Sequence, residues 1–196
     1  MKATVVGVLL VFGFSCQSKP EQESSWGGTS EAPNEVSWTT VIASPEEPGE
    51  RLVVEGRVYL EDGHTPAPGV TIYAYHTNAQ GEYPKRGDET GNGRLHGYLR
   101  GWMRTDSSGR YRIETIRPAP YPTHDGEPAH IHYTIQPSGG EEYWINAAWF
   151  SDDPRVTDEL VSGLKRKGGS SNVMEVSRDS DGVWHGQRDI VLAVYE

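Results

Sequence analysis

Two histidines two residues apart and a tyrosine set between prolines are the residues of this sequence best placed to do chemistry. They lie in residues 118–132, Pro-Ala-Pro-Tyr-Pro-Thr-His-Asp-Gly-Glu-Pro-Ala-His-Ile-His. On a strand, side chains two apart point to the same face, so His130 and His132 can both reach one ion. Tyr121 stands between Pro120 and Pro122. Each proline fixes its own φ and biases the residue before it toward extended geometry, which aims the phenol more firmly than an ordinary loop would. Two imidazoles make half a metal site. The only cysteine, Cys16, precedes the part expected to fold, so the remaining donors must be oxygen or imidazole. His64, His76, His96, His124, His185, several carboxylates and the tyrosines are the candidates.

The scaffold that must position these donors is predicted to be all-β. With 23 Gly and 13 Pro and no long apolar stripe at helical period, the chain reads as a β-sandwich with long loops and one short helix. Strands are expected at residues 36–43, 52–58, 70–75, 111–116, 131–135, 143–150 and 189–195. Turn chemistry at 61–66 makes 70–75 the returning strand of a hairpin, and a tight turn at 105–111 leads into the next strand. The helix is expected within 154–167, where Val156, Leu160, Val161 and Leu164 have helical spacing. Asp158 and Glu159 stand early in it and Lys165 and Lys167 late, as the helix dipole favours. At 196 residues the chain makes one domain plus extensions. Its net charge of −10, with 18 scattered Lys and Arg, argues against a nucleic-acid or anionic-membrane surface, so the expected partner is small or neutral.

Lys2 is followed by an apolar run over residues 3–14, too short to span a bilayer and suited to a secretory signal. Residues 1–16 are therefore read as a signal peptide of lipoprotein type, with Cys16 as lipid attachment point and membrane anchor. The protein is expected to be exported, to the cell envelope or beyond. Residues 17–50, rich in Ser, Glu, Pro and Gly, read as a flexible tether with a short first strand, and 51–196 as the sandwich domain.

Several segments in order resemble the intradiol ring-cleavage dioxygenases, the family of protocatechuate and catechol dioxygenases. They are Gly56-Arg57-Val58, Asp62-Gly63, Pro68-Gly69-Val70-Thr71-Ile72, Asn78-Ala79-Gln80-Gly81-Glu82-Tyr83, and Thr105 through Tyr111. Thr115 through Pro122, Pro128-Ala129-His130-Ile131-His132 and Phe150 through Pro154 continue the likeness. The resemblance implies a mononuclear non-haem Fe(III) held by Tyr83, Tyr121, His130 and His132. It also implies a small aromatic diol and O2 as substrates, with Tyr121 the catalytic ligand that the diol displaces and a muconate-type diacid as product. A hard trivalent cation deprotonates phenols, and two phenolates in turn favour the ferric state. The best-known members carry an arginine three residues before the first histidine, where this chain has Glu127. They carry a glutamine in the following strand, where ungapped spacing from His132 gives Ala147. The N-terminal helical domain of the catechol-specific branch has no counterpart here.

A second reading is a non-catalytic β-sandwich binding or spacer domain of a surface lipoprotein. The opening Gly-x-Val segment and the Thr-Asp-x-x-Gly-x-Tyr turn also resemble transthyretin-like and regulatory sandwiches, which have no reason to keep a His-x-His pair. A cupin-like site expects a glutamate shortly after that pair, where Gln136 and a Pro-Ser-Gly-Gly turn follow. No Gly-x-Ser-x-Gly elbow supports a hydrolytic triad. Asp106, Asp152 and Asp153 read as turn residues.

Overall fold

In a computed structural model of the chain, residues 27–123, 126–163 and 172–192 are described. The signal and lipidation reading of residues 1–16, the first part of the expected tether, and His124 lie outside them. The fold is built from β1 (Thr39–Val41), β2 (Arg51–Tyr59), β3 (Thr71–His76), β4 (Arg100–Arg104), β5 (Arg110–Ile116), β6 (His130–Gln136), β7 (Tyr143–Phe150), β8 (Val173–Arg178), β9 (Trp184–Gln187) and β10 (Ile190–Val191). Two short helices accompany them, α1 (Gly93–His96) and α2 (Asp158–Ser162).

β2 shows why these residues make strands. Leu52, Val54, Gly56 and Val58 are buried and alternate with more exposed neighbours, the period of a sheet with one face on a core. It pairs antiparallel with β5, setting Val54 against Ile113 and Gly56 against Tyr111. Pairing continues in the order β1-β5-β2-β9-β8-β7-β6-β3-β4, with β10 beside β2. The two ends of this path approach one another, since the Arg104 N–H donates to the Ser37 carbonyl just before β1 (2.8 Å). The result is a nearly closed sandwich around Val54, Ile72, Met103, Tyr111, Ile113, Ile131, Tyr133, Ile135 and Phe150.

The all-β expectation holds, with differences in detail. The reversal at 61–66 forms, with Asp62 Oδ1 accepting from the His64 and Thr65 N–H groups (2.9 and 2.8 Å). Its return leg is only residues 65–67, however, where Ala67 N–H donates to the Val58 carbonyl (2.8 Å). β3 does not pair with β2; it lies between β4 and β6. Turn chemistry says that the chain reverses and leaves open which strand receives it. β4, β8 and β9 were not expected, nor was α1. β4 carries a glycine between its arginine and tryptophan, and β8 exposes Glu175, Ser177 and Arg178, so neither has a long apolar alternation to read. α2 begins where Thr157 Oγ1 accepts from the Leu160 N–H (3.2 Å), while the later part of the expected helix, from Leu164, is outside the described residues.

Of the expected 17–50 tether, residues 27–50 pack against the domain. Trp102 Nε1 donates to the Gly28 carbonyl (2.6 Å), Glu142 accepts from the Thr29 N–H (3.0 Å), and Arg100 pairs with Glu31 (2.6 Å). Gly28 lies against Tyr73, where a Cβ would come within 2.5 Å of the ring. This contact explains why β3 is buried on both faces: the sandwich core covers one and residues 27–31 cover part of the other.

Candidate active site

Tyr83 and Tyr121 come from two loops that are tied together. The chain leaves β3 at Thr77 and folds on Asn78, whose Oδ1 accepts from the Gln80 and Glu82 N–H groups (2.9 and 3.0 Å). Tyr83 projects from the end of that turn. Gly81, at φ 81°, lets the turn close on the proline-rich loop: a Cβ there would stand 2.1 Å from the Pro120 carbonyl oxygen. Two hydrogen bonds fasten the loops, Ala119 N–H to the Asn78 carbonyl (3.0 Å) and Thr77 Oγ1 to the Ala119 carbonyl (2.6 Å). Tyr121 follows two residues later, so its position is inherited from the Asn78 turn.

His130 and His132 open β6 and share the face opposite Ile131 and Tyr133, which enter the core. Ile131 faces Ala148 and Tyr133 faces Ile145, so Asn146 and Ala147 together oppose His132. This is a bulge, a device that re-aims a side chain. The His130 Nδ1 lies 2.7 Å from the Pro128 carbonyl. A carbonyl accepts only, so that nitrogen carries the proton and Nε2 keeps its lone pair. The His132 ring stacks on Tyr75 (centroids 4.6 Å apart), which stacks in turn on His96 (3.7 Å).

The four side chains converge. The Tyr83 and Tyr121 hydroxyls are in direct contact. The Tyr121 hydroxyl lies 3.1 Å from His132 Nε2 and 3.3 Å from His130 Nε2, and the two Nε2 atoms are 2.9 Å apart. Tyr121 is the member that touches the other three. Burial pushes the Tyr83 phenol well above its ordinary pKa, assisted by its hydrogen bond with Tyr121 and by the charge of Glu127. Burial raises Tyr121 as well, against the lowering effect of Tyr83. Burial, with His130 beside it, lowers His132 to about 3. Without a cation, then, the phenols keep their protons and His132 is neutral. Two oxygens able to become anionic and two imidazole nitrogens, with no sulfur, suit a small, hard, highly charged cation, whose field would reverse the phenol protonation. Among the described residues no group of three or more His, Cys, Asp or Glu is placed to hold a metal, so an ion here depends on both tyrosines.

The remaining histidines among the described residues have partners of their own. His64 is bonded within the Asp62 turn, His96 to the Tyr73 hydroxyl (2.8 Å), and His185 to Asp179 (2.7 Å). His76 is buried between Thr115 Oγ1 and the Thr77 carbonyl, both at 2.7 Å. A cavity of about 650 Å³ lies elsewhere, between β2, β8 and β9.

The profile of a family described as Dioxygenase matches residues 28–183, a span that contains all four converging side chains. This chain belongs to the intradiol ring-cleavage dioxygenase family. It is 29% identical over 160 residues to the protocatechuate 3,4-dioxygenase beta chain of Burkholderia cepacia, covering 77% of this chain and 68% of that one. It is 31% identical over 147 residues to the catechol 1,2-dioxygenase of Acinetobacter baylyi, covering 66% of this chain and 45% of the relative. The chain thus spans about half the length of that relative. Two solved structures share the fold. The dioxygenase domain of a dioxygenase and carbohydrate-binding protein fusion from Streptomyces sp. SirexAA-E has a TM-score of 0.61 at 24% identity, over 83% of this chain and 92% of that one. Catechol 1,2-dioxygenase from Acinetobacter sp. ADP1 has a TM-score of 0.62 at 22% identity, over 84% and 59%.

In this intradiol family member, support for the histidine strand comes from a residue read from sequence as a turn former. Asp153 is buried, and its Oδ2 accepts from the N–H of Ala129 (2.9 Å), the residue before His130, while Oδ1 accepts from the Arg155 N–H (2.9 Å). Asp153→Ala leaves the buried Ala129 N–H unpaired. We expect a loss of about 1–3 kcal/mol in stability, seen as a lower thermal midpoint, together with reduced metal retention because His130 loses its anchor.

His76 makes stability depend on pH. Burial holds its pKa down to about 4, against the help of the Thr77 carbonyl, whereas in the unfolded chain it is near 6.5. Between those values the unfolded state binds the extra proton. Stability from this group is therefore full above about pH 6.5 and falls as the pH drops toward 4, by about 3 kcal/mol. Urea unfolding of the metal-free protein across that window, with and without His76→Gln, checks this; the variant should show the shallower decline.

Proposed function

We propose that the chain is a non-haem Fe(III)-dependent dioxygenase that inserts O2 into a catechol-type ring between the two hydroxyl-bearing carbons, yielding a muconate-type diacid. Tyr83, Tyr121, His130 and His132 would hold the iron. The observation that carries this reading is the convergence of two phenol oxygens and two imidazole Nε2 atoms within 3.3 Å neighbour distances, in a chain of this family.

When bound, ferric iron would supply a Lewis acid that favours loss of protons from its phenol ligands and from a chelated diol, whose dianion is electron-rich enough to react with O2. The protein's residues do the rest. His130 presents a lone pair at Nε2 because Pro128 holds the proton on Nδ1. His132 is oriented by the Tyr75 ring beneath it and by the bulge across from it. Tyr83 stays on the turn that Asn78 closes. Tyr121, at the centre of the cluster and on the loop, would be the ligand that gives way to a chelating diol. Burial gives the Tyr121 oxygen a raised proton affinity when no cation holds it, so it would be the base that takes a proton from one diol hydroxyl. It is the catalytic residue of this scheme.

Oxygen uptake tests the proposal. Iron-loaded protein given a panel of catechols should consume one O2 per ring opened and form a diacid with strong ultraviolet absorption. Absence of both oxygen uptake and iron uptake would contradict it.

A further inference from the structure

We propose that Glu127 is a specificity-determining residue that selects catechol-type diols carrying a positively charged arm, such as an aminoethyl group, and disfavours those carrying a carboxylate. This rests on the functional reading above and names the substrate class of that same site.

The observation is where the carboxylate stands. Glu127 Oε1 is 4.0 Å from His130 Nε2, and the side chain is 44% exposed, so it borders the cluster and remains open to a ligand arriving from solvent. The same His130 Nε2 lies 3.3 Å from the Tyr121 hydroxyl, so the carboxylate stands at the edge of the cluster. The backbone that carries it is fixed. Pro128 accepts from His130 Nδ1 (2.7 Å), and the Ala129 N–H is held by Asp153 (2.9 Å). Three residues before His130, Glu127 cannot drift far from the cluster.

Among the described residues, several cations of the flanking segments are committed elsewhere. Arg117 makes two bonds to Asp152 (2.8 and 2.5 Å) and lies over the Phe150 and Trp184 rings. Arg155 is 3.6 Å from Asp153, Lys85 donates to the Arg94 carbonyl, and Arg100 pairs with Glu31 at 2.6 Å. Arg188 is buried on the core side, over Tyr133. Glu82, beside Tyr83, adds a second exposed carboxylate. Among the described residues, the charge placed at this rim is therefore that of Glu127 and Glu82, and it is negative. A carboxylate arm is repelled there, while an ammonium arm gains an ion pair and a charge-assisted hydrogen bond.

The test is binding of three diols to the iron-loaded protein, read by the change each causes in visible absorption: plain catechol, a catechol with an aminoethyl arm, and a catechol with a carboxylate arm. Plain catechol sets the reference within each variant. In the native protein the amine should bind roughly tenfold tighter than catechol and the carboxylate roughly tenfold weaker. Glu127→Gln should bring the amine-to-carboxylate ratio close to that expected without a charge, and Glu127→Arg should invert it. If catechol binds but the ratio is the same in the native protein and Glu127→Gln, the selectivity assignment is overturned while the site reading stands. If catechol changes the spectrum of no variant, both are overturned.

Discussion

Replacing His132 with alanine is expected to cost more than about a hundredfold in iron affinity and to remove catechol-dependent oxygen uptake. Losing even an outer partner of a metal ligand costs about 10–100-fold, and His132 Nε2 is one of four convergent donors, 2.9 Å from its neighbour on His130. The fold should survive. His132 lies on the outer face of β6, with Ile131 and Tyr133 making the core contacts, and its principal packing partner is the Tyr75 ring. Thermal unfolding of the metal-free variant should fall within a few degrees of the native protein, while iron content after loading drops to near zero. Retention of about one iron per chain would show that the four donors do not act together.

Gly81→Ala should have the next largest effect, although residue 81 touches no substrate. Two costs add at this position. A φ of 81° is strained for any residue with a side chain, about 1–3 kcal/mol. The new Cβ would also lie 2.1 Å from the Pro120 oxygen, nearer than atoms in contact can stand. The Asn78 turn must then move away from residues 118–122, and Tyr83 and Tyr121 separate. We expect lowered stability together with a ten- to hundredfold loss of iron affinity. Gly63→Ala provides the control, because its φ of 75° carries the same strain with nothing within 4 Å of the Cβ. It should lower stability and leave iron binding alone. Equal iron loss in both variants would mean that Gly81 acts through general strain only.

The histidine pair was readable because strand geometry has a strict period of two, and Tyr121 because prolines flank it. Tyr83 was reached only through the family likeness; by itself a tyrosine after Gly-Glu has many uses. Asp153 was read as a turn residue and does close a turn, but its second oxygen crosses to Ala129, a partner 24 residues away that no local pattern announces. The strands show the same division. β2, β5 and β7 carry enough buried apolar residues to declare themselves, whereas β8 and β9 rely on pairing with each other and with β2 and β7. β3 was located correctly and given the wrong neighbour, since its uniformly buried residues fit any central position in a sheet. Glu127 was visible as a departure from the family pattern, but that it comes within 4.0 Å of His130 Nε2 is a matter of three-dimensional placement.

The most direct test of the account is the visible absorption spectrum of the protein loaded with ferric iron, recorded beside Tyr83→Phe and Tyr121→Phe. If both phenols bind the ion, the native protein is coloured by tyrosinate-to-iron charge transfer, and each substitution shifts or weakens that band in its own way. A protein that takes up one iron per chain yet stays colourless, or whose band is untouched by either substitution, would contradict the two-tyrosine, two-histidine site.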